Sequence, residues 1–275
     1  MNLLTDTLKL KIKNTINTSI INQDVKKSSS SLSNILDDLY ETIPDSKRIS
    51  YGRYYTIKVL SQFLYEQLSL QHISSYNVAT SLIDNIADVR VKSVCLGVLS
   101  FYGLEDEKNI EKIIPYFIKI ASEDQWEVRE NAAGLFQKII KKYPDALKPY
   151  LQKFSTSKDP YIRRFTSETL RPVSENRWIQ KNPNYSLSIL QNMFKESVSY
   201  PRTSVGNNLS DLARKNPEII YGTVKKLVDS GNKNSFWIAK RACRNLIKKE
   251  SLRVMNLLHI DEYKYKKNLY KKSDL

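Results

Sequence analysis

Residues 159–172 read Asp-Pro-Tyr-Ile-Arg-Arg-Phe-Thr-Ser-Glu-Thr-Leu-Arg-Pro, and the fold of this chain can be inferred from this segment and its copies. Asp159 is suited to cap a helix, Pro160 fits the first helical turn, and Pro172 cannot continue a helix. Between them, apolar side chains recur at helical spacing. The segment therefore predicts a short helix that has one apolar face and that ends before Pro172.

Copies of this pattern occur along most of the chain, at intervals of about 34 to 39 residues. The copies lie in residues 88–94, 125–132, 160–165, 200–205 and 236–242. Each later copy is preceded by another amphipathic segment, and small or branched residues in most copies allow close helix packing. Helix pairs at this period are typical of HEAT-like α-solenoids, in which the second helices line a concave face. We find no run with the period-two alternation of a strand, so the predicted fold class is all-α.

The whole chain is predicted to be one HEAT-like solenoid. Its parts are N-terminal helices in residues 1–75, the recognisable repeats in residues 76–255 and a basic, tyrosine-rich tail in residues 256–275. In the N-terminal part, the polar stretch from Lys26 to Ser31 predicts a break in helical structure. One of its serines is expected to cap the next helix, at Leu32–Thr42.

Composition indicates which class of partner to expect. The chain has 275 residues, with 44 Lys and Arg against 29 Asp and Glu, a net charge of +15 and a pI near 9.5. Such an excess of positive charge predicts attraction to a polyanion, either nucleic acid or an acidic membrane surface. The alternative is a basic surface that engages no partner.

Other residue types argue against several classes of site. His72 and His259 are isolated and form no metal-ligand cluster, so neither a metal nor a cofactor is expected. Cys95 and Cys243 are too few for a disulfide framework, which indicates a reducing compartment. No apolar run reaches the length of a membrane span, and the N-terminus lacks a signal-peptide pattern. We therefore expect a soluble, cytoplasmic protein that does not contact a membrane.

A basic residue stands at the same place in each copy of the pattern. These residues are Arg90, Arg129, Arg163, Arg202 and Lys240. In stacked repeats they would form a row, and with their neighbours they predict a basic groove that can follow a phosphate backbone. The alternative for any one arginine is an ion pair with an acidic residue of the adjacent repeat, which would hold the stack together.

Carboxylates and tryptophans stand out against this basic background. Trp126 and Glu130 are four residues apart and share a helix face, and Glu168 and Asp211 occupy comparable positions in the following repeats. The remaining two tryptophans, Trp178 and Trp237, also lie in the repeats. Acidic groups in a basic groove repel DNA, so one reason to have them is to stabilise a cation. The alternative is a set of salt bridges between repeats.

Three segments of the chain carry a family resemblance: residues 163–172, Arg-Arg-Phe-Thr-Ser-Glu-Thr-Leu-Arg-Pro, residues 204–212, Ser-Val-Gly-Asn-Asn-Leu-Ser-Asp-Leu, and residues 237–249. In this order they resemble the AlkC branch of the AlkC/AlkD DNA alkylation repair glycosylases. Residues 163–172 resemble the segment Arg-Arg-x-x-Ser-Glu-Gly-Thr-Arg-Pro of that family, and residues 204–212 resemble Ser-Val-Ala-Asn-x-Leu-Asn-Asp-Ile. Residues 237–249 resemble its closing repeat. The likeness covers about residues 80–250 and implies a HEAT-like fold, in agreement with the period of the repeats.

The resemblance also implies an activity. The family hydrolyses the N-glycosidic bond of cationic N3- or N7-alkylated purines in double-stranded DNA, as in base excision repair. By match to the motifs, Glu168 and Asp211 become the catalytic carboxylates, with Glu130 added from its position in the preceding repeat. The predicted base-contacting residues are Trp126, Trp178 and Trp237. The predicted DNA-binding residues are Arg129, Arg163, Arg164, Arg171, Arg202, Asn207, Lys240, Arg241 and Arg244.

Carboxylates suit this chemistry. An alkylated purine is already positively charged, so the enzyme has to stabilise positive charge on the base and then on the oxocarbenium-like sugar. A carboxylate does so by Coulomb attraction and can also orient the attacking water, and aromatic faces add cation–π contacts. The expected enzyme is a monomer without metal or cofactor, associated with the nucleoid of a bacterial cytoplasm.

Departures from the family motifs keep two other functions open. Thr169 and Leu170 replace Gly-Thr, Arg241 stands where the family usually has histidine, and Trp178 follows the Arg-Pro pair at a longer distance. The first alternative is a DNA-binding paralogue that has lost glycosylase activity. The second is a HEAT-repeat scaffold for protein interactions, for which DNA affinity would be weak and insensitive to salt.

Overall fold

The computed structural model describes residues 3–274, except for the side chains of residues 49–51 and 174. These residues are predominantly α-helical and successive helices pack against each other in pairs, which confirms the predicted all-α helical-repeat class. The chain divides into two compact units, Met1–Lys142 and Tyr143–Leu275. No helix of the described part is both long and apolar enough to cross a membrane.

Seven α-helices build the described part of the first unit. They are α1 (Asp6–Thr15), α2 (Val25–Glu41), α3 (Arg48–Leu70), α4 (Ser75–Asn85), α5 (Val89–Glu105), α6 (Ile110–Ala121) and α7 (Trp126–Lys142). Helix α5 packs against both α3 and α7, and its buried side chains form the centre of this unit. Gly97 permits the contact with α3, because a Cβ atom at this position would lie 2.2 Å from the Oγ of Ser61.

The described part of the second unit contains seven further α-helices and a β-hairpin. They are α8 (Pro144–Ser155), α9 (Pro160–Thr169), α10 (Pro183–Leu190), α11 (Ser199–Leu212), α12 (Pro217–Asp229), α13 (Lys233–Ala242), α14 (Ser251–Leu258), β1 (Glu262–Tyr265) and β2 (Asn268–Lys271). The second helices of the repeats, α9, α11 and α13, pack side by side, with α11 in the middle. This layer of second helices carries most of the candidate site residues.

The repeats predicted from the sequence are present, and three of their helices, α5, α9 and α13, start with a capping side chain. Asp88 accepts hydrogen bonds from the backbone N–H groups of the first turn of α5, and Asp159 accepts one from Tyr161 N at 2.8 Å at the start of α9. Asn232 does the same for α13, where it accepts from Asn234 N and Ser235 N. Helix α9 ends at Thr169, as expected for a segment that reaches Pro172.

The prediction of a break at the serine run is wrong. Helix α2 begins at Val25, and residues 28–31 lie within it. The helix is capped instead by Asp24, whose carboxylate accepts a hydrogen bond from Lys27 N at 2.9 Å. Leu32, Ile35 and Leu39 are buried on one face of this helix, and their burial outweighs the low helix propensity of the serines.

The basic tail contains secondary structure that was not predicted. Strands β1 and β2 pair antiparallel, with Tyr263 opposite Tyr270 and Tyr265 opposite Asn268. Tyr263 is buried, and its hydroxyl donates a hydrogen bond to the carbonyl of Lys240 at the end of α13. The alternation Tyr-Lys-Tyr was the sequence signal for this hairpin, but three residues are too short a run to identify a strand by period.

Both cysteines are free and buried, which predicts low thiol reactivity. Burial raises the pKa of the Cys95 thiol and of the Cys243 thiol to about 12. Because the thiolate is the reactive form, neither cysteine should react with a disulfide reagent at pH 8 in the native protein, whereas both should react after unfolding in guanidinium. The measurement is the thiol titre over time. Rapid reaction in the native protein would contradict the burial of that thiol.

Candidate functional site

Glu168 on α9 and Asp211 on α11 are joined by the guanidinium group of Arg171. Arg171 Nη1 lies 3.2 Å from Glu168 Oε2, while its Nε and Nη2 lie 3.1 and 2.6 Å from Asp211 Oδ2. Both carboxylates are buried, with relative exposures of 5% for Glu168 and 7% for Asp211. The structure therefore brings the two predicted catalytic carboxylates into one cluster, which we call the carboxylate cluster: Glu168, Arg171 and Asp211.

The end of α9 explains how Arg171 reaches both helices. Helix α9 stops at Thr169, and Arg171 N then donates a hydrogen bond to Glu168 O in the turn that follows the helix. Because Arg171 lies just beyond the helix, its side chain can extend towards α11. Burial by itself would lower the pKa of Arg171, but the negative charges of Glu168 and Asp211 raise it above its ordinary value. The guanidinium group therefore stays charged.

Two further side chains, those of Ser204 and Arg164, hold the Glu168 carboxylate in one orientation. Ser204 on α11 donates from Oγ to Glu168 Oε1 at 2.6 Å, and Arg164 Nη2 lies 3.1 Å from the same oxygen. The guanidinium group of Arg164 also stacks 4.3 Å from the ring centre of Tyr200 and donates to its hydroxyl at 3.1 Å. Sequence analysis assigned no role to Ser204 or Tyr200, because their contacts join two helices that are more than thirty residues apart in sequence.

Three of the repeated arginines share a role within the fold. Each donates hydrogen bonds to backbone carbonyls in the loop that precedes its own helix. Arg129 contacts Glu123 O and Asp124 O, Arg163 contacts Ser157 O and Lys158 O, and Arg202 contacts Ser197 O. These carbonyls lie in the loop between the first and second helix of a repeat, where helical hydrogen bonds no longer satisfy the backbone carbonyl groups. The repeated position therefore holds the inter-helix loops in place.

Arg163 is further neutralised by Glu196. Its Nε and Nη2 lie 2.5 and 3.0 Å from the two Glu196 oxygens, a bidentate contact. The side chains are only 15% and 5% exposed, respectively. Hydrogen bonding to Glu196 raises the pKa of Arg163 despite the opposing effect of burial. Arg163 thus pairs with an acidic residue of the neighbouring repeat, which is the structural alternative that its sequence position left open.

A second group of predicted residues meets at Asn207. Asn207 Oδ1 accepts hydrogen bonds from Arg241 Nε at 2.9 Å and from Arg244 Nη2 at 2.7 Å. The Arg241 side chain can cross α11 because the position it passes is Gly206, where a Cβ atom would lie 2.9 Å from the Arg241 side chain. Lys240 is exposed, with its Nζ 5.7 Å from the ring centre of Tyr263.

The three tryptophans lie in different surroundings. Trp237 on α13 is half-buried between two guanidinium groups, with Arg202 Cζ at 4.8 Å and Arg241 Cζ at 5.3 Å from its ring. Trp178 donates to Asn176 Oδ1 and packs against Tyr185 on α10, with ring centres 5.2 Å apart. These contacts place Trp178 with a first helix, whereas the carboxylate cluster lies on second helices.

Trp126, Arg129 and Glu130 belong to the first unit, on and around α7. Trp126 opens the helix and is 60% exposed, while Glu130, one turn later, is partly buried. Their spacing puts both side chains on one helix face, as expected. The roles of Trp126 and Glu130 in substrate binding stay predictions.

No protein-family model matches the chain. Over 108 residues it is 31% identical to the uncharacterized protein YhaZ of Bacillus subtilis (strain 168), an alignment that covers 36% of this chain and 29% of YhaZ. The chain thus matches less than a third of the length of this curated relative.

Solved structures share the fold. The chain is similar to smu.31 of Streptococcus mutans UA159, with a TM-score of 0.52 and 22% identity over 68% of this chain and 97% of smu.31. It is similar to AlkD2 of Streptococcus mutans, with a TM-score of 0.58 and 20% identity over 77% of this chain and 97% of AlkD2.

The third structure is the alkylpurine DNA glycosylase AlkC of Pseudomonas fluorescens, bound to DNA that contains an abasic site analog. Here the TM-score is 0.56 and the identity 16%, over 92% of this chain and 65% of AlkC. The scores for AlkD2 and AlkC are similar, so they do not resolve the AlkC branch from the AlkD branch. The chain has the helical-repeat fold of AlkC and AlkD2.

Proposed function

We propose that this protein is a DNA glycosylase that hydrolyses the N-glycosidic bond of cationic alkylated purines, of the N3-methyladenine or N7-methylguanine type. The observation that carries this proposal is the carboxylate cluster, in which Glu168 and Asp211 are held on adjacent second helices. The fold, shared with an alkylpurine DNA glycosylase, supports it. The net charge of +15 supports DNA as the partner.

The chemistry that we assign to the cluster is stabilisation of positive charge. As the bond between the sugar C1′ and the purine nitrogen breaks, its electron pair moves to the base and neutralises the alkylated purine. The sugar is left with oxocarbenium character, which a nearby carboxylate stabilises by Coulomb attraction. A carboxylate oxygen also accepts a hydrogen bond from the water that attacks C1′; as the C1′–O bond forms, that water passes a proton to the carboxylate, which later releases it to solvent.

Ser204 and Arg171 are positioning residues in this scheme. Ser204 donates to one oxygen of Glu168, which limits rotation of the carboxylate. Arg171 holds Glu168 and Asp211 at a set separation by contacting both. Because the groups are oriented before substrate arrives, less reorganisation accompanies bond cleavage.

A second candidate is a protein that binds damaged DNA without hydrolysing it. The observation in its favour is the double contact of Arg171, whose positive charge offsets part of the negative charge of the two carboxylates. Such an offset weakens the attraction for a cationic base. Glycosylase activity and simple lesion binding therefore differ in one measurable property, the release of free base.

The test is release of free methylated purines from duplex DNA treated with dimethyl sulfate, measured by mass spectrometry with excess protein. We expect release above the rate of spontaneous depurination, together with DNA affinity that falls steeply with salt. Salt-sensitive binding without release would reject the glycosylase and leave the second candidate. Absence of both would leave a helical-repeat scaffold for other proteins.

A further inference from the structure

A second, strongly basic site lies between α13 and the C-terminal hairpin. It is a solvent-facing cleft of about 320 Å³. Its cations are Lys240, Arg241, Arg244, Lys264 and Lys266, and its aromatic side chains are Trp237, Tyr263 and Tyr265. None of these eight lining residues is acidic. We call it the hairpin cleft.

The two arginines of the hairpin cleft are held by neutral groups. Arg241 and Arg244 both donate to Asn207 Oδ1, and each also lies against an aromatic ring, Trp237 for Arg241 and Tyr265 for Arg244. Contacts with an amide oxygen and with aromatic rings orient a guanidinium group but leave its positive charge uncompensated. This differs from Arg163 and Arg171, whose contacts include carboxylates.

Charge repulsion within the cleft is consistent with an anion as its ligand. Burial lowers the pKa of Arg241, and the nearby positive charge of Arg244 lowers it further. Tyr265 is approached by Lys248 and Lys266 as well, with the Nζ atoms 5.3 and 5.8 Å from its ring centre. A bound anion would offset this concentration of positive charge.

The hairpin is held against α13, so the cleft is formed before any ligand binds. Tyr263 is buried and its hydroxyl donates to Lys240 O, while the strands pair over four residues each. The hairpin side of the cleft therefore presents Lys264 and Lys266 from a structured element. A site organised in advance loses less conformational entropy when it binds its ligand.

The hairpin cleft is connected to the carboxylate cluster through α11. Asn207, the residue on which both arginines converge, precedes Asp211 by four residues on the same helix. Residues with this spacing are neighbours on one helix face, with Cβ atoms about 5 to 6 Å apart. The arginines of the hairpin cleft and Arg171 of the carboxylate cluster therefore contact neighbouring positions on α11.

We propose that the hairpin cleft binds the phosphodiester backbone of DNA, adjacent to the nucleotide held at the carboxylate cluster. This inference rests on the proposed function. Arginine pairs recognise phosphate oxygens by parallel N–H donors, and lysines add point charges along the strand. The aromatic rings provide surfaces for the sugars.

The test compares wild type with the double variant Lys264→Gln/Lys266→Asn in binding to an undamaged DNA duplex, followed by fluorescence anisotropy over a series of NaCl concentrations. Lys266 has a positive φ of 56°, which asparagine tolerates well. We expect the variant to bind roughly tenfold more weakly at moderate salt, and the slope of log K against log salt to decrease by about 2.

A matched control removes the same number of lysine charges from α12. Lys225→Gln/Lys226→Gln changes two exposed lysines of the same unit, outside the hairpin cleft. This control should keep most of the wild-type affinity and slope. Thermal melts of both double variants establish that the fold is intact. Equal loss of affinity in the two double variants would overturn the proposal, because net charge alone would then explain it.

A competition experiment distinguishes a site that binds a DNA strand from a site that binds a free anion. Inorganic phosphate and chloride are compared as competitors at matched ionic strength. Because a strand-binding site recognises the same phosphate oxygens, phosphate should compete somewhat better than chloride, but only at concentrations high enough to screen charge. Displacement of the duplex by micromolar phosphate, too dilute to change the ionic strength, would identify a free-phosphate site and overturn the backbone assignment.

The measurements distinguish rejection of DNA binding by the hairpin cleft from rejection of the proposed glycosylase activity. If wild type releases methylated purines but Lys264→Gln/Lys266→Asn binds DNA as tightly as wild type, only the hairpin cleft is rejected. If wild type binds the duplex without releasing base, the glycosylase is rejected and the salt slopes still test the cleft. If wild type does not bind DNA at low salt, both proposals are rejected.

Discussion

Glu168→Gln and Asp211→Asn should each lower the rate of methylated purine release by about 100-fold, the loss typical when one preorganised electrostatic group is removed from an active site. Both changes keep the size of the side chain and remove its negative charge. In the proposed mechanism, that charge stabilises the sugar cation as the N-glycosidic bond breaks. The measurement is single-turnover release of free base from duplex DNA treated with dimethyl sulfate.

DNA affinity is the internal control of this experiment. Loss of a negative charge beside Arg171 and Arg164 should leave affinity for an undamaged duplex unchanged or raise it, because less repulsion opposes the phosphates. Glu218→Gln is the matched variant elsewhere in the second unit, since Glu218 contacts Arg253 at 2.6 Å on the surface. It should retain wild-type release. Undiminished release in Glu168→Gln and in Asp211→Asn would reject the catalytic role of the cluster.

Glu196→Gln should lower the free energy of unfolding of the second unit by about 3 kcal/mol, because it breaks a buried ion pair by removing one partner. Arg163 would keep its positive charge but face one neutral amide oxygen and an NH2 donor in place of two carboxylate oxygens. Glu196 also accepts a hydrogen bond from Val198 N at 2.9 Å, just before α11 begins. The change therefore weakens the connection between α9 and α11, the two helices that carry the carboxylate cluster.

Urea unfolding followed by tryptophan fluorescence measures this loss, in a Trp126→Phe background. The remaining tryptophans, Trp178 and Trp237, both belong to the second unit. Glu218→Gln again serves as the control: it removes the same charge from a bidentate arginine pair, but its side chain is 70% exposed. Exposed pairs contribute little to stability, so its urea midpoint should stay close to wild type. Equal midpoints for Glu196→Gln and Glu218→Gln would contradict a stabilising role for the buried pair.

The helical repeat was predictable because its signals are local. Asp159 caps α9 through a backbone N–H two residues away, and Pro172 limits the same helix from its C-terminal side. The period of the copies then identifies the stacking of helix pairs. Local signals failed in two places. Residues 28–31 are helical because burial of one helix face outweighs the low helix propensity of the serines. The alternation at Tyr263 spans only three residues, which is too short to identify a strand.

The candidate site was predictable in its residue types and partly in its location. The motif residues Glu168, Arg171 and Asp211 do meet, although they come from segments about forty residues apart. Trp178 lies against α10, because a tryptophan beyond the end of a helix can turn to either side of the helical layer. Its distance from the Arg-Pro pair was the only signal of this departure in the sequence.

The sequence by itself determined the positive charge of this protein, the period of its repeats and the helices that carry its acidic and basic side chains. Only the tertiary structure decided which of those charges are compensated. Arg163 and Arg241 both lie on second helices of repeats, yet Arg163 forms an ion pair with Glu196 whereas Arg241 donates to the neutral amide oxygen of Asn207. The physical reason is that charge compensation requires contact between side chains of different repeats, and such contacts depend on how the helices pack rather than on spacing within one helix.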